Sequence, residues 1–326
     1  MMTDRWYAEV VGGTERFLTW RKRRRLKKKE KQKKRHPIVE WIDAFLWAAV
    51  VVLLINQYLF QAYQIPTGSM ENTLKISDRI FVNKLVYGPE LIPGMFKLPG
   101  FTEPDRNRVI IFESPTYISK GPLFDVMQRV LYMLTLSLVD IDRDENGDPR
   151  AHFLIKRAVG MGGDRLRISE GELEMKLPGM AQWQPESGMS YLHPVDFTTR
   201  RIISENEYAA IDAAVRSATY QEENLISLTK DRAILSSAPS IKNDAHQRWG
   251  VFYETMHQIR PQRVRYRSES HKFRLGWYVP VGHIFPMGDN RDDSNDARYF
   301  GPVHLEKVLG RGMFIYWPLS RISPIR

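Results

Sequence analysis

One apolar stretch stands apart from the rest of the chain: AFLWAAVVVLLINQYLF, Ala44–Phe60, with only Asn56 and Gln57 polar near its end. As a helix this run spans about 26 Å, and its flanks from Ile38 to Tyr63 carry it past the roughly 30 Å hydrocarbon layer of a bilayer. Trp41, Trp47, Tyr58 and Tyr63 fall toward its two ends, where aromatic side chains favour the membrane interface. The pattern predicts one transmembrane helix over 38–63. A buried core helix is the rival reading. A cleaved signal peptide is disfavoured, because the basic region before the run is long and no Ala-x-Ala site follows it.

Past this run the period shortens. Ile80–Phe81–Val82, Leu85–Val86–Tyr87, Arg108–Glu113 and Phe153–Gly160 are brief β-rich stretches bounded by turn formers, and they predict a mainly β domain. Two stretches depart from that pattern. Leu123–Val139 is apolar but interrupted by Asp125, Gln128 and Arg129, so its clean run is short for a span. It reads as an amphipathic helix that lies on a membrane or docks on the β core. Asn206–Thr219 places Tyr208, Ile211, Ala214 and Val215 at helical spacing, within a long polar region from about 166 to 276.

Charge sharpens the first prediction. The 326-residue chain carries a net charge of +10, which by itself suggests nucleic acid or an acidic surface. Yet 12 of its 48 Lys/Arg and one of its 38 acidic residues lie in Arg21–His36, a local charge of +11 that leaves −1 for everything else. A basic tract directly before a span holds that end in the cytoplasm and pairs with anionic headgroups. Nucleic-acid binding by the tract is the weaker alternative, since a Lys/Arg run alone is an unspecific motif.

The absence of cysteine excludes disulfides, thiolate zinc sites, iron–sulfur ligation and a cysteine nucleophile. The eight histidines form no His-Glu-x-x-His, and no Gly-x-Ser-x-Gly elbow is present. Ser227–Lys230 matches Ser-x-x-Lys without its companion motifs and reads as ordinary surface.

Four segments are more specific. IPTGSMENTL (65–74), SDRIFVNKLVYG (77–88), FLIKRAVGMGGD (153–164) and MGDNRDDSNDARYFGPV (287–303) resemble, in order, the conserved boxes of the bacterial type I signal peptidases, and GRGMFIYWP near the C-terminus is similar in character. The resemblance covers some 55–60 residues and leaves 89–107, 116–150 and 166–276 without usable likeness. It implies a mainly β exported catalytic domain behind one transmembrane helix. The expected organisation is a cytoplasmic basic segment over 1–37, the span over 38–63 and a catalytic part over 64–165 with a helical insertion at about 116–150. An inserted second region over 166–276 and a catalytic C-terminal part over 277–326 complete it.

The resemblance also implies a Ser/Lys dyad, and the chemistry of the residues fits. A serine hydroxyl is inert until a base takes its proton; Ser69 is the expected nucleophile and Lys156 the expected base. An ordinary lysine is protonated at neutral pH, but burial in apolar surroundings lowers its pKa. Phe153, Leu154 and Ile155 before Lys156, and Ala158 and Val159 after it, supply such surroundings. By resemblance, the Ser69 amide and the Thr67 hydroxyl form an oxyanion hole, Ser294 orients the lysine, and Asp296 and Arg298 form a supporting ion pair. Ala297 and Asp293 depart from the residues common in the family without removing a proposed catalytic group. Ile65, Pro66, Met70, Leu74, Ile80, Leu154 and Ile155 are candidates to line shallow pockets for small residues, each with core packing as its rival reading. No metal or organic cofactor is implied.

The implied function is removal of N-terminal signal peptides from exported preproteins after small residues, of Ala-x-Ala type. The implied partners are those signal peptides and the phospholipid membrane, with no nucleic acid. The implied location is the bacterial inner membrane, single-pass, N-terminus in the cytoplasm and catalytic domain on the periplasmic side. Two alternatives stand beside it: a self-cleaving Ser/Lys regulator on a related β fold, disfavoured by the span and the lack of a DNA-binding module, and an inactive membrane-anchored paralogue that binds preproteins or envelope partners, disfavoured by the intact Ser69, Lys156 and Ser294.

Overall fold

Short antiparallel strands build the sheets of the computed structural model, which describes residues 14–16, 18–26, 36–92, 96–135, 138–143, 147, 150, 152–169, 171–191, 197–238, 241 and 244–326. The strands are β1 (Phe60–Gln64), β2 (Arg79–Asn83), β3 (Glu90–Ile92), β4 (Phe96–Lys97), β5 (Val109–Glu113), β6 (Phe153–Met161) and β7 (Arg165–Ser169). There follow β8 (Glu172–Lys176), β9 (Gln184–Pro185), β10 (Trp277–Tyr278), β11 (His283–Met287), β12 (Val303–His304), β13 (Val308–Trp317) and β14 (Ser323–Pro324). The helices are α1 (Pro37–Tyr58), α2 (Pro122–Leu134), α3 (Glu205–Glu222), α4 (Thr229–Ser237), α5 (Ala245–Ile259), α6 (Val264–Leu275) and the short α7 (Ala297–Phe300). The mainly β domain behind one apolar helix is therefore present.

The chain divides into two units, Met1–Leu53 and Leu54–Arg326. The first holds most of α1, which among the described residues is the one helix long and apolar enough to cross a membrane. The basic tract is described only over Arg21–Leu26 and His36; its residues 27–35 lie outside the described residues.

In the second unit the main sheet runs β1-β2-β13-β5-β6-β11-β12, with β14 on β13, and its neighbours pair antiparallel. β2 alternates: Ile80 and Val82 are fully buried, whereas Arg79, Phe81 and Asn83 are partly exposed. The central β5 reads Val-Ile-Ile-Phe and is covered on both faces. One cluster gathers Ile65, Met70, Leu74 and Ile80 with Val109, Ile111 and Ile315; another gathers Ile110, Phe112 and Ala158 with Ile284 and Val308. A smaller sheet, β10-β7-β8-β9, joins the main one through Val159, Leu166, Leu173, Phe285 and Met287. Helices α3–α6 follow it in the polar region. Ser204 and Glu207 form a capping box at the start of α3, and Arg216 joins α3 to the buried Asp231 of α4.

Three expectations are corrected. The helix predicted over 38–63 ends at Tyr58, and 60–64 forms β1 instead, because pairing with β2 satisfies its backbone. Tyr63 is thus a core residue, its ring against Tyr132 and Phe153, and not an interfacial aromatic. Leu85–Tyr87, read as strand, is a 3-10 turn closed by the Gly88 amide on Leu85 O. The helix expected over Leu123–Val139 spans Pro122–Leu134.

Candidate active site

The loop between β1 and β2 folds back on itself. Ile65 N donates to Asp78 O and Ser77 N to Ile65 O, each at 2.9 Å, and Gly68–Met70 form a single 3-10 turn that carries Ser69. The far side of this turn is held by the loop after β11: Asn290 donates from its amide N to Ser69 O and from Nδ2 to Gly68 O, both at 3.1 Å. Gly288 is required there by close approach, since a Cβ would overlap both the Ser69 carbonyl and the Ser294 hydroxyl.

β6 brings Lys156 to the serine. Its amine lies 2.5 Å from Ser69 Oγ and is 4% exposed. Packing on both sides of the strand buries it, Ile155 on one cluster and Leu154 with Ala158 on another. Burial lowers the amine from 10.5 to about 8, against the pull of Asp296 and Asp289, which favour the cation; Arg298 assists the lowering. A useful fraction of Lys156 is therefore neutral near pH 8, able to accept the Ser69 proton across a distance already made.

The Thr67 hydroxyl is exposed and 3.4 Å from Ser69 Oγ. Asp296 and Arg298 are brought together: Arg298 Nε and Nη2 donate to the two carboxylate oxygens at 2.9 and 3.0 Å, and Gly288 N donates to Asp296 Oδ2 at 3.0 Å. Burial pushes the Asp296 carboxyl up, but Arg298 and the Gly288 amide outweigh it and hold it below the usual range. The Ser294 hydroxyl is buried beside Asp296, whose charge it helps to hold, and among the described residues it makes no hydrogen bond to Lys156. Of the seven pocket candidates, Ile65, Met70, Leu74 and Ile80 are buried in the cluster beneath the serine turn, so their place here is packing. Pro66 is exposed, and Leu154 and Ile155 are partly exposed. The exposed Lys230 lies in the first turn of α4 and the partly exposed Ser227 just before it, both far in sequence from these groups. Among the described residues no three His, Asp or Glu side chains could hold a metal ion.

Sequence reasoning missed the polar scaffold around this site. Arg157, next to Lys156, is fully buried and donates to Asp289 through Nε at 2.8 Å and Nη2 at 2.7 Å; Thr73 Oγ1 donates to the same carboxylate at 2.5 Å. Arg291 reaches Glu186, at the end of the smaller sheet, by a bidentate pair at 2.5 and 2.7 Å. A signal existed: an arginine inside an apolar strand needs a buried carboxylate, and Asp289 stands in a box already singled out.

A family model described as signal peptidase, peptidase S26, matches residues 38–317. Signal peptidase I of Pseudomonas aeruginosa is 26% identical over 306 residues, covering 90% of this chain and 78% of that protein. The Haemophilus influenzae signal peptidase I is 26% identical, with 86% and 70% covered, and the Aquifex aeolicus one 27%, with 85% and 82% covered. The class that follows is a serine endopeptidase. Within that class the chain belongs to the signal peptidase family and is similar to the bacterial type I enzymes, which cleave signal peptides.

Proposed function

We propose that this chain is a membrane-anchored endopeptidase that removes signal peptides through a Ser69/Lys156 dyad. The observation that carries the reading is the 2.5 Å contact between a buried lysine amine and the Ser69 hydroxyl. Neutral Lys156 takes the Ser69 proton as Oγ attacks the scissile carbonyl. The Ser69 amide and the Thr67 hydroxyl stabilise the oxyanion. The resulting ammonium protonates the departing amine, leaving an ester on Ser69. Water then attacks the ester, giving its proton to the same amine, and the new carboxyl end is released as Ser69 recovers its hydrogen. Asp296 and Arg298 support the floor beneath the lysine, with Ser294 beside them. Pro66, Leu154 and Ile155 contact the substrate above the packed layer of Ile65, Met70, Leu74 and Ile80, and favour small residues of Ala-x-Ala type.

The length of α1 and the basic tract before it support a single span with the N-terminus in the cytoplasm and the second unit on the periplasmic side of the inner membrane. The test uses the full chain in detergent with a preprotein bearing an Ala-x-Ala site. Cleavage is expected from the wild type and from neither Ser69→Ala nor Lys156→Ala. Undiminished cleavage by Lys156→Ala refutes the base; a wild type that binds the preprotein but never cleaves it favours the inactive paralogue. Protease added outside spheroplasts should digest residues 64–326 and spare the basic tract; the reverse pattern inverts the topology.

A further inference from the structure

Helix α2 is inside out for a helix in water. On a 3.6-residue turn, Leu123, Val126, Met127, Val130 and Leu134 fall within about 100° of arc. All five are exposed, from 37% for Val130 to 85% for Leu123, and the arc contains no charge. The polar residues lie on the opposite side, turned into the protein. Arg129 pairs with Glu90 at 3.2 Å and Glu113 at 3.3 Å, the buried Gln128 donates to Asp140 at 2.9 Å, and Asp125 accepts from Ser119 Oγ at 2.5 Å. An amphipathic surface helix ordinarily docks by its apolar face and wets its polar one. Here the polar face docks and the apolar face is left outward, continued by the exposed Leu138 and Val139.

The position of the helix says what lies against that face. Glu90 holds Arg129 by its carboxylate, and its carbonyl oxygen accepts from Gln57 Nε2 at 2.8 Å. Gln57 is in the last turn of α1. The same residue therefore ties α2 to the end of the apolar helix, where the chain leaves the bilayer.

We infer that α2 is a second membrane contact, lying along the outer lipid interface with Leu123, Val126, Met127, Val130 and Leu134 turned into the acyl boundary of a phospholipid bilayer. The inference rests on the reading that α1 spans the membrane. Its effect is to hold the second unit at two points beside the bilayer, fixing the height and tilt at which Ser69 meets a membrane-inserted preprotein.

The chain has no cysteine, so a single introduced one labels uniquely. Val126→Cys, Val130→Cys, Val51→Cys in α1 and Ile226→Cys at an exposed position remote in sequence would each carry an NBD fluorophore. Each full-length variant, checked for retained preprotein cleavage, goes into phosphatidylethanolamine–phosphatidylglycerol vesicles. The expected result is blue-shifted emission at 126 and 130, quenched about twofold or more by nitroxide-bearing lipid, strong quenching at 51 and none at 226. Quenching at 51 without quenching at 126 or 130 overturns the inference and leaves the span standing. No quenching at 51 overturns the span, and the inference with it. Blue-shifted emission at 130 that lipid nitroxide does not quench puts protein, a second copy or a preprotein, on the stripe and also overturns it.

Discussion

Lys84 and Lys156 are 5% and 4% exposed, and burial lowers both amines from 10.5 to about 8. They differ in what stands opposite. Lys156 meets a serine hydroxyl at 2.5 Å, on a turn clamped by Asn290, and a buried ion pair, Asp296 with Arg298, holds the nearby Gly288 amide. Around Lys84 are Glu90, which favours its cation, and Arg129, which opposes it. Burial thus lowers two amines, and of the two only Lys156 has, among the described residues, a hydroxyl within hydrogen-bond distance of its amine. A lowered pKa points to a site only together with geometry.

The sharpest way to break this comparison is to remove each amine in turn. Lys156→Met should lower kcat/KM for preprotein cleavage by about 10³-fold or more, the scale of a lost general base, whereas Lys84→Met should stay within about threefold. Similar losses from both would show that burial alone matters. The ion pairs near the two lysines should differ as well. Arg298→Met leaves Asp296, fully buried, without its cation, and should cost about 3–5 kcal/mol in denaturant unfolding. Arg129→Met, whose partners Glu90 and Glu113 are partly exposed, should cost only about 1 kcal/mol. Equal costs would erase the distinction between a sealed floor and a peripheral network.

A smaller effect concerns Lys84 alone. Its folded pKa is depressed below its unfolded value, so the folded state carries the full cost of a buried cation below about pH 8. That cost fades as pH rises toward 10.5, where the unfolded amine also loses its proton. Lys84→Met should therefore raise stability by ~3 kcal/mol at pH 7 and by little above pH 10.5. Thermal or urea unfolding across that range checks it; a gain independent of pH would assign the effect to packing.

Much of the site was legible because its chemistry is carried by short boxes. Ser69, Thr67, Lys156, Asp296 and Arg298 all stand in segments quoted from the sequence, and the apolar neighbours of Lys156 already indicated a buried amine. What escaped was pairing between distant segments. Nothing near Arg157 in sequence names Asp289 or Thr73, and nothing near Arg291 names Glu186. The pocket candidates escaped for a related reason: an apolar side chain in such a box can face outward or into the core, and packing puts Ile65, Met70, Leu74 and Ile80 in the core. Among the elements, Ala44–Tyr58 was visible from hydrophobicity, but its end was not, because Phe60–Gln64 turns from helix to strand by pairing with β2. Helix α2 was found by its composition. Its orientation was not, since the salt bridge of Arg129 with Glu90 reverses the face that would ordinarily dock.

The central claim is that a neutral Lys156 activates Ser69. Its most direct test is kcat/KM for preprotein cleavage by the full chain, followed from about pH 6 to pH 10 in the wild type and in Lys84→Met. The account predicts a rise of about tenfold per pH unit up to a midpoint near 8 and a plateau above it, the same in both proteins. A flat profile, or a midpoint that moves when Lys84 is replaced, would contradict it.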